Sequence, residues 1–230
     1  MDELMTKRLR TTIALAATLF AAAAYAGPHV THSFNTSAPA GSVRRVLIDI
    51  EAGDIKIRNS TTGTINVTGI VKRESDYDER EKNQRIVNDS SAEIYVSHDE
   101  AIVRRKFGAN AQGWRAQTHN TDWDLTIEVP AGVSIDLATR YGDIDIEGTY
   151  GNIDVDLRAG DIDVKTPRTA VRELVASCRV GEIHTHLGDE IIEREGLLPG
   201  KTHWVNKNAT GTSVVHVHAT AGEVNVVLTK

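Results

Sequence analysis

Two pairs of histidines carry the side chains best suited to metal chemistry in this sequence. His184 and His186 flank one residue, and so do His216 and His218. Alternate residues of a β-strand share one face, so each pair offers two imidazole nitrogens to zinc or copper. Each pair is therefore a candidate for a weak two-ligand metal site. Surface histidines without a metal are the alternative, so we predict no firm metal site and no cofactor.

Acidic residues alternate with apolar residues through the middle of the chain. Stacked strands would bring equivalent acids to about 5 Å from one another, where like charges repel and a cation would relieve the repulsion. A calcium ladder is one interpretation, but the Gly-Gly-x-Gly-x-Asp repeat of calcium-binding β-rolls is absent from the sequence. We therefore favour a solvated acidic surface that opposes aggregation. The acids are Asp136, Asp143, Asp145, Glu147, Asp154, Asp156, Asp161 and Asp163.

An enzyme is the main alternative to a binding protein. β-Helices can carry polysaccharide hydrolases, in which carboxylates converge on one bond, and Asp145, Asp163 and Lys165 resemble such a cluster. The acids recur at fixed repeat positions, however, which favours a structural role over one assembled site. The motifs Gly-x-Ser-x-Gly and His-Glu-x-x-His are absent. We therefore predict no catalytic residue and no enzyme.

The elements that must position these side chains follow one repeat. Its pattern is apolar-x-apolar-x-apolar or small, two residues, then Gly-acid-apolar-x-apolar, as in residues 153–164. Alternation with period two predicts strands with one buried face, and recurrence at about 20 residues is typical of a solenoid. The pattern predicts an all-β, β-solenoid-like fold with two short strands in each coil. We expect the apolar positions to be buried, namely Ile144, Ile153, Val155, Ile162, Ile183 and Val224. We expect the acids Asp143, Asp154 and Asp163 to be exposed.

The repeat also separates the two histidine pairs. His184 and His186 follow the repeat glycine Gly181, whereas His216 and His218 precede Gly222. The pairs should therefore lie on opposite sheets and face away from each other, so a joint four-histidine site is not expected.

The chain divides into a leader and one domain. A basic start, an apolar run and Ala-Tyr-Ala predict a signal peptide that is cleaved before residue 27. Residues 75–88 interrupt the strand pattern and predict one short helix. The predicted segments are a signal peptide (1–26), a loose N-terminal lead (27–43) and a single β-repeat domain (44–230). Within that domain we expect N-terminal strands with the helix insertion (44–130), the main coils (131–187), an irregular cap over an open end (188–212) and a final coil (213–230).

Composition narrows the partners and the compartment. The net charge of −6 argues against nucleic acid. The single cysteine, Cys178, occupies an inward repeat position and has no partner for an intramolecular disulfide. We expect no transmembrane segment after signal cleavage, because the apolar run of the leader is short.

One stretch resembles a known family. Thr-Ile-Glu-Val-Pro-Ala-Gly-Val-Ser-Ile-Asp-Leu at 126–137 runs on into Gly-Asp-Ile-Asp-Ile-Glu-Gly, with an early Gly-Asp-Ile-Lys-Ile and a late Gly-Glu-Val-Asn-Val copy. This layout resembles the bacterial family of candidate adhesin domains, a repeat domain of unknown function on exported and envelope proteins. The resemblance covers about residues 44–230. It implies a β-solenoid-like fold and an envelope location, and it supplies no catalytic residues.

These observations lead to one functional hypothesis. We expect an exported, non-catalytic, adhesin-like binding or structural module of the cell envelope, periplasmic or secreted, with an envelope polysaccharide or protein as its partner. Binding should spread over one coil face through Asp145, Asp163, His184 and Asn225. A polysaccharide-active enzyme on a β-helix and a weak metal-binding envelope protein are the alternatives.

Overall fold

The computed structural model describes residues 29–111, 121–188, 190–194 and 199–230. This part of the chain is almost entirely β-structure, as the alternating sequence predicts. The strands are β1 (His29–Pro39), β2 (Arg45–Asp49), β3 (Asp54–Ser60), β4 (Thr64–Glu74), β5 (Ser90–Ser97), β6 (Glu100–Phe107), β7 (Thr121–Pro130), β8 (Ser134–Tyr141), β9 (Ile144–Glu147), β10 (Ile153–Ala159), β11 (Ile162–Pro167), β12 (Val171–Leu187), β13 (Glu190–Arg194), β14 (Gly200–Val205) and β15 (Ser213–Thr229).

The repeats form parallel coils, each of which adds one strand to each of two runs of strands. In the first sheet, β2, β8, β10 and the first halves of β15 and β12 lie side by side in that order. In the second sheet, β3, β9, β11 and the second halves of β15 and β12 repeat the order. The long strands β12 and β15 belong to both sheets, so the structure is a solenoid-like β-repeat.

Equivalent apolar residues stack from coil to coil and form the core. In the second sheet Ile144, Ile162, Val224 and Ile183 follow one another in register, and all four are buried. Ile153 and Val155 on the first sheet are also buried, whereas Asp143, Asp154 and Asp163 are exposed. The predicted inward and outward positions are thereby confirmed.

A column of glycines turns each coil from the first sheet to the second. Gly53, Gly142, Gly160, Gly222 and Gly181 stack in that order, with φ between 121° and 139°. In each of the last four, a Cβ would collide with the carbonyl oxygen of the glycine before it in the column. Both the backbone angle and the close approach therefore require glycine at the bend.

The aspartate that follows each of the first three glycines of the column has a structural task. Asp54 Oδ1 accepts a hydrogen bond from the backbone nitrogen of Asp143 at 3.1 Å, and Asp143 Oδ1 accepts one from Asp161 at 3.1 Å. Asp161 Oδ1 accepts one from Glu223 at 2.8 Å. Each short carboxylate thus satisfies a backbone donor of the next coil at the bend, where strand pairing is interrupted.

The predicted final coil is last in sequence but not in space. β15 pairs on one side with β10 and β11, and on its other side with β12 over nearly its whole length. The opposite edge of β12 is occupied by β13 and β14. With that edge covered, the last coil fits between the two coils that precede it in sequence.

The prediction that residues 188–212 form an irregular cap is wrong, because the segment contains two regular strands. This segment contains β13 and β14, which pair antiparallel with the second and first halves of β12. Neither strand follows the repeat pattern. Each pairs with β12 along one edge, and within β14 only Thr202 is buried. Residues 189 and 195–198 of this segment lie outside the described residues.

The prediction of a loose lead over residues 27–43 is also wrong where the structure describes it. β1 pairs antiparallel with the full length of β4. Phe34 lies opposite Gly69, and its ring meets Trp123 edge-on at 6.1 Å between centroids. Only Val30 within β1 is buried, so the apolar signal of this edge strand is weak, and backbone hydrogen bonds hold it in place.

The expected short helix is present. A 3₁₀ turn at Tyr77–Glu79 leads into α1 (Arg80–Asn88), whose buried side chains include Ile86 and Val87. A second 3₁₀ turn spans Ala109–Ala111. Within the described part of the chain, no helix is long and apolar enough to span a membrane.

Candidate functional site

Four predicted binding residues form one continuous row on the outer face of the second sheet. Asp145 is in register with Asp163, Asp163 with Asn225, and Asn225 with His184. They lie on β9, β11, β15 and β12, so the row crosses four adjacent strands. We call these four residues the outer row. The repeat positions them because all four occupy the outward position next to a buried core residue.

The β9 end of the outer row is neutralised by basic side chains. The Arg58 guanidinium contacts the Asp145 carboxylate, and that hydrogen bond raises the pKa of Arg58 above its ordinary value. Lys165 donates to Glu147 Oε1 at 2.9 Å. Of the side chains that resemble a catalytic cluster in the sequence, Asp145 is thus held in an ion pair with Arg58 on the neighbouring strand, and Lys165 is paired with Glu147.

The middle of the outer row is a carboxylate–amide contact. Asn225 Nδ2 donates to Asp163 Oδ1 at 2.8 Å. Asn225 Oδ1 is buried and has no hydrogen-bond partner among the described residues. In a planar amide the oxygen and the nitrogen point to different sides. Because Nδ2 donates to Asp163 on β11, the amide oxygen is not the atom that faces that carboxylate.

The β12 end of the outer row brings an imidazole between two carboxylates. His184 Nε2 lies 3.1 Å from Glu182 Oε2 and 3.6 Å from Glu223 Oε1. The His184 side chain is 21% exposed, so solvent and small solutes reach it. Glu182 and Glu223 are in register on β12 and β15. We call Glu182, His184 and Glu223 the histidine–glutamate cluster.

The other predicted histidines do not join this cluster. His186 lies one outward position further along β12, in register with Val227. His216 and His218 lie in the first sheet, on the first half of β15. His216 Nδ1 is 3.3 Å from Asp154 Oδ1, and His218 Nδ1 is 2.9 Å from Ser177 Oγ.

The Ser177–His218 contact is the arrangement nearest to a nucleophile and base. His218 lies between Ser177 on β12 and Asp156 on β10, and it is in register with both. Serine, histidine and aspartate therefore share one outward row of the first sheet. A catalytic triad needs the carboxylate bonded to the imidazole and donors for an oxyanion. Asp156 is exposed to solvent. The row therefore places the three residue types of a triad in sequence, but on an open surface and not in an enclosed site.

Comparison with protein families shows which family this chain belongs to. The family model described as Toastrack DUF4097 matches residues 33–227, which is most of the chain. This chain belongs to the Toastrack family. The family resemblance drawn from the sequence, to an adhesin-like domain of unknown function, is confirmed.

Two solved structures are similar to this Toastrack chain. A crystal structure of a candidate cell adhesion protein from Clostridium sporogenes has 10% identity and a TM-score of 0.48, covering 87% of this chain and 100% of that one. A candidate adhesin from Bacteroides fragilis has 8% identity and a TM-score of 0.27, covering 85% and 97%. At these values the likeness carries no conclusion about ligand or activity. No curated protein matches the chain.

Sequence reasoning about this Toastrack domain overlooked Glu182 and Glu223 as part of a site. Both occupy the acid position after the repeat glycine, where Asp54, Asp143 and Asp161 bond to the next coil. The change from aspartate to glutamate in these two coils was the available signal. A side chain one methylene longer reaches beyond the backbone and meets His184.

Proposed function

We propose that this Toastrack protein is an exported, non-catalytic binding module of the bacterial cell envelope, periplasmic or secreted. In this proposal the outer row, Asp145, Asp163, Asn225 and His184, contacts an extended partner that crosses the strands. An envelope polysaccharide fits this face best. The family relationship to adhesin-like domains supports the proposal but names no ligand.

The observation that carries the proposal is the continuity of the outer row. The register sets carboxylate, carboxylate, amide and imidazole on four adjacent strands of one open face. Adjacent strands lie about 4.8 Å apart, so an extended polymer with hydroxyl groups meets a polar side chain at each step. Many such contacts add up although each is weak, which suits a repetitive polymer better than a small molecule.

The test is retention of envelope polysaccharide fractions on the immobilised protein. EDTA is present throughout, so that any metal effect is removed. Asp145→Ala, Asp163→Ala and Asn225→Ala should each weaken retention by about two- to fivefold, because no single contact dominates a spread interface. The triple variant should abolish it. Asp154→Ala is the matched control, since Asp154 is an exposed acid on the first sheet and should have no effect.

Two outcomes contradict the proposal. If Asp154→Ala weakens retention as much as Asp163→Ala does, the second sheet is not the binding face. If the wild-type protein retains no fraction, an envelope polysaccharide is not the partner.

The second candidate is a polysaccharide-active hydrolase. The Ser177–His218 contact at 2.9 Å favours ester cleavage, because a serine–histidine pair attacks an acyl carbon, whereas glycosidic bonds are cleaved by paired carboxylates. The same fractions can be examined for released acids, the product of ester cleavage, and for released oligosaccharides, the product of glycosidic cleavage. We expect none from the wild-type protein. Release that disappears in Ser177→Ala or Asp163→Asn, while the fold is unchanged by circular dichroism, would make the enzyme the better hypothesis.

A further inference from the structure

The histidine–glutamate cluster departs from the structural use of the repeat acids. At Asp54, Asp143 and Asp161 the carboxylate accepts a backbone hydrogen bond from the neighbouring coil. At Glu182 and Glu223 the carboxylates instead approach His184. Two strands therefore supply one nitrogen and two carboxylates whose ligand atoms all lie within 4.8 Å of one another.

The distances in the cluster are compatible with a metal site. Zinc bonds of about 2.0–2.1 Å in a tetrahedron place neighbouring ligand atoms about 3.3 Å apart. The two separations from His184 Nε2, 3.1 Å and 3.6 Å, lie on either side of that value. Both glutamates are on the surface, so small rotations of their side chains suffice to close the third separation.

A second observation at the same place is the orphaned oxygen of Asn225. This oxygen is buried and has no partner in the part of the chain that the structure describes, and its residue is in register with His184. Leaving a buried polar atom unsatisfied costs about 1–3 kcal/mol. Because Asp163 holds the amide nitrogen, the amide cannot turn to find a partner for its oxygen without losing that bond. A cation, or a water molecule bound to one, would satisfy the oxygen.

We propose that Glu182, His184 and Glu223 bind one Zn²⁺ ion on the outer face of the second sheet, with Asn225 Oδ1 beside it. Mixed nitrogen and oxygen ligands are typical of zinc, whereas calcium takes oxygen ligands alone. Three protein ligands leave one coordination position for water. The ion takes the place of the hydrogen bond between His184 Nε2 and Glu182 Oε2. It also links β12 to β15, because Glu223 lies on β15. This site differs from the predicted His184–His186 pair, because it draws its other ligands from the repeat acids.

Calorimetric titration of Zn²⁺ into the full-length chain, made without a histidine tag, tests the proposal. We expect one ion per chain and no binding of Ca²⁺ under the same conditions. His184→Gln and Glu223→Gln should each weaken the affinity by at least about tenfold, since each removes one of three ligands. His216→Gln is the matched control. That imidazole lies on the first sheet and also has a carboxylate nearby, Asp154 at 3.3 Å, but among the described residues it forms an ion pair with this one acid, not two.

A second measurement keeps the test independent of folding defects. Co²⁺ bound to the wild-type chain should give the intense visible absorption of tetrahedral coordination, and His184→Gln should lose it while retaining the wild-type circular dichroism spectrum. Three results would overturn the proposal: no zinc binding by the wild-type chain, equal weakening by His216→Gln and His184→Gln, or unchanged affinity in both cluster variants. None of them depends on whether the protein binds a polysaccharide.

Discussion

Asp161 Oδ1 accepts a hydrogen bond from the backbone nitrogen of Glu223 at 2.8 Å, across 62 residues of sequence. This contact joins the coil of β10 and β11 to the coil of β15 at the glycine bend. Together with the same contact at Asp54 and Asp143, it explains why an aspartate follows three of the repeat glycines.

Replacing this carboxylate should show its structural role. Asp161→Ala leaves the Glu223 nitrogen without its acceptor, and we expect a loss of about 1 kcal/mol in the free energy of unfolding. Asp161→Asn keeps an oxygen at the same place and should lose less. Urea denaturation of both variants measures the difference. Equal stability of the alanine variant and the wild type would mean that water replaces the contact without cost.

The glycine column should not tolerate a side chain. In Gly160→Ala the Cβ would collide with the carbonyl oxygen of Gly142, at a φ of 132° that L residues rarely adopt. We expect a destabilisation of more than about 3 kcal/mol. Gly132→Ala is the control, because its φ is 80° but nothing lies within 4 Å of the added atom, so its cost should be about 1–2 kcal/mol. Similar midpoints for the two variants in denaturant would contradict the stacked column.

Adjacent residues of one strand should differ sharply in tolerance. Ile162 is fully buried and Asp163 is exposed. Ile162→Asp places an unpaired charge in the core and should cost about 4 kcal/mol or more, whereas Asp163→Lys should cost less than about 1 kcal/mol. Thermal unfolding of the two variants provides the comparison. If both melt alike, the assignment of inward and outward positions on β11 is wrong.

The single cysteine should be inert in the folded protein. Cys178 is 2% exposed, and its thiol donates to the carbonyl oxygen of Gly222 at 3.3 Å. Burial raises the pKa of the Cys178 thiol, so the reactive thiolate is less populated than in an exposed cysteine at the same pH. We expect no reaction with a disulfide reagent at pH 8 until urea is added, then one thiol per chain. Rapid labelling of the native protein would exclude this burial.

The leader predicts export, and residues 1–28 lie outside the described structure. N-terminal sequencing of the protein recovered from the periplasm or the medium should begin at Gly27, because Ala-Tyr-Ala precedes it. The cell membrane fraction is the control. Recovery of the chain there, embedded and with Met1 or Met5 intact, would contradict signal cleavage.

Local patterning determined much of this fold. The alternation around Ile144 and Ile162 shows which side chains face the core, because a strand has period two in any sheet. The repeat glycines mark the bends, because few other residues adopt their backbone angles. The same parity places Asp145, Asp163, Asn225 and His184 outward, and repeat alignment puts the two histidine pairs in separate sheets.

Only the tertiary structure decided which coils are neighbours. The coils of β12 and β15 have equivalent inward patterns, so the core alone does not distinguish their order. The covered edge of β12 directs β15 into the gap beside β10 and β11. The sequence likewise did not predict β1, because its backbone pairing with β4 depends little on side-chain type. The histidine–glutamate cluster depends on the same placement: Glu223 reaches His184 because β15 lies against β12, and that contact between distant residues exists only once the coils have packed.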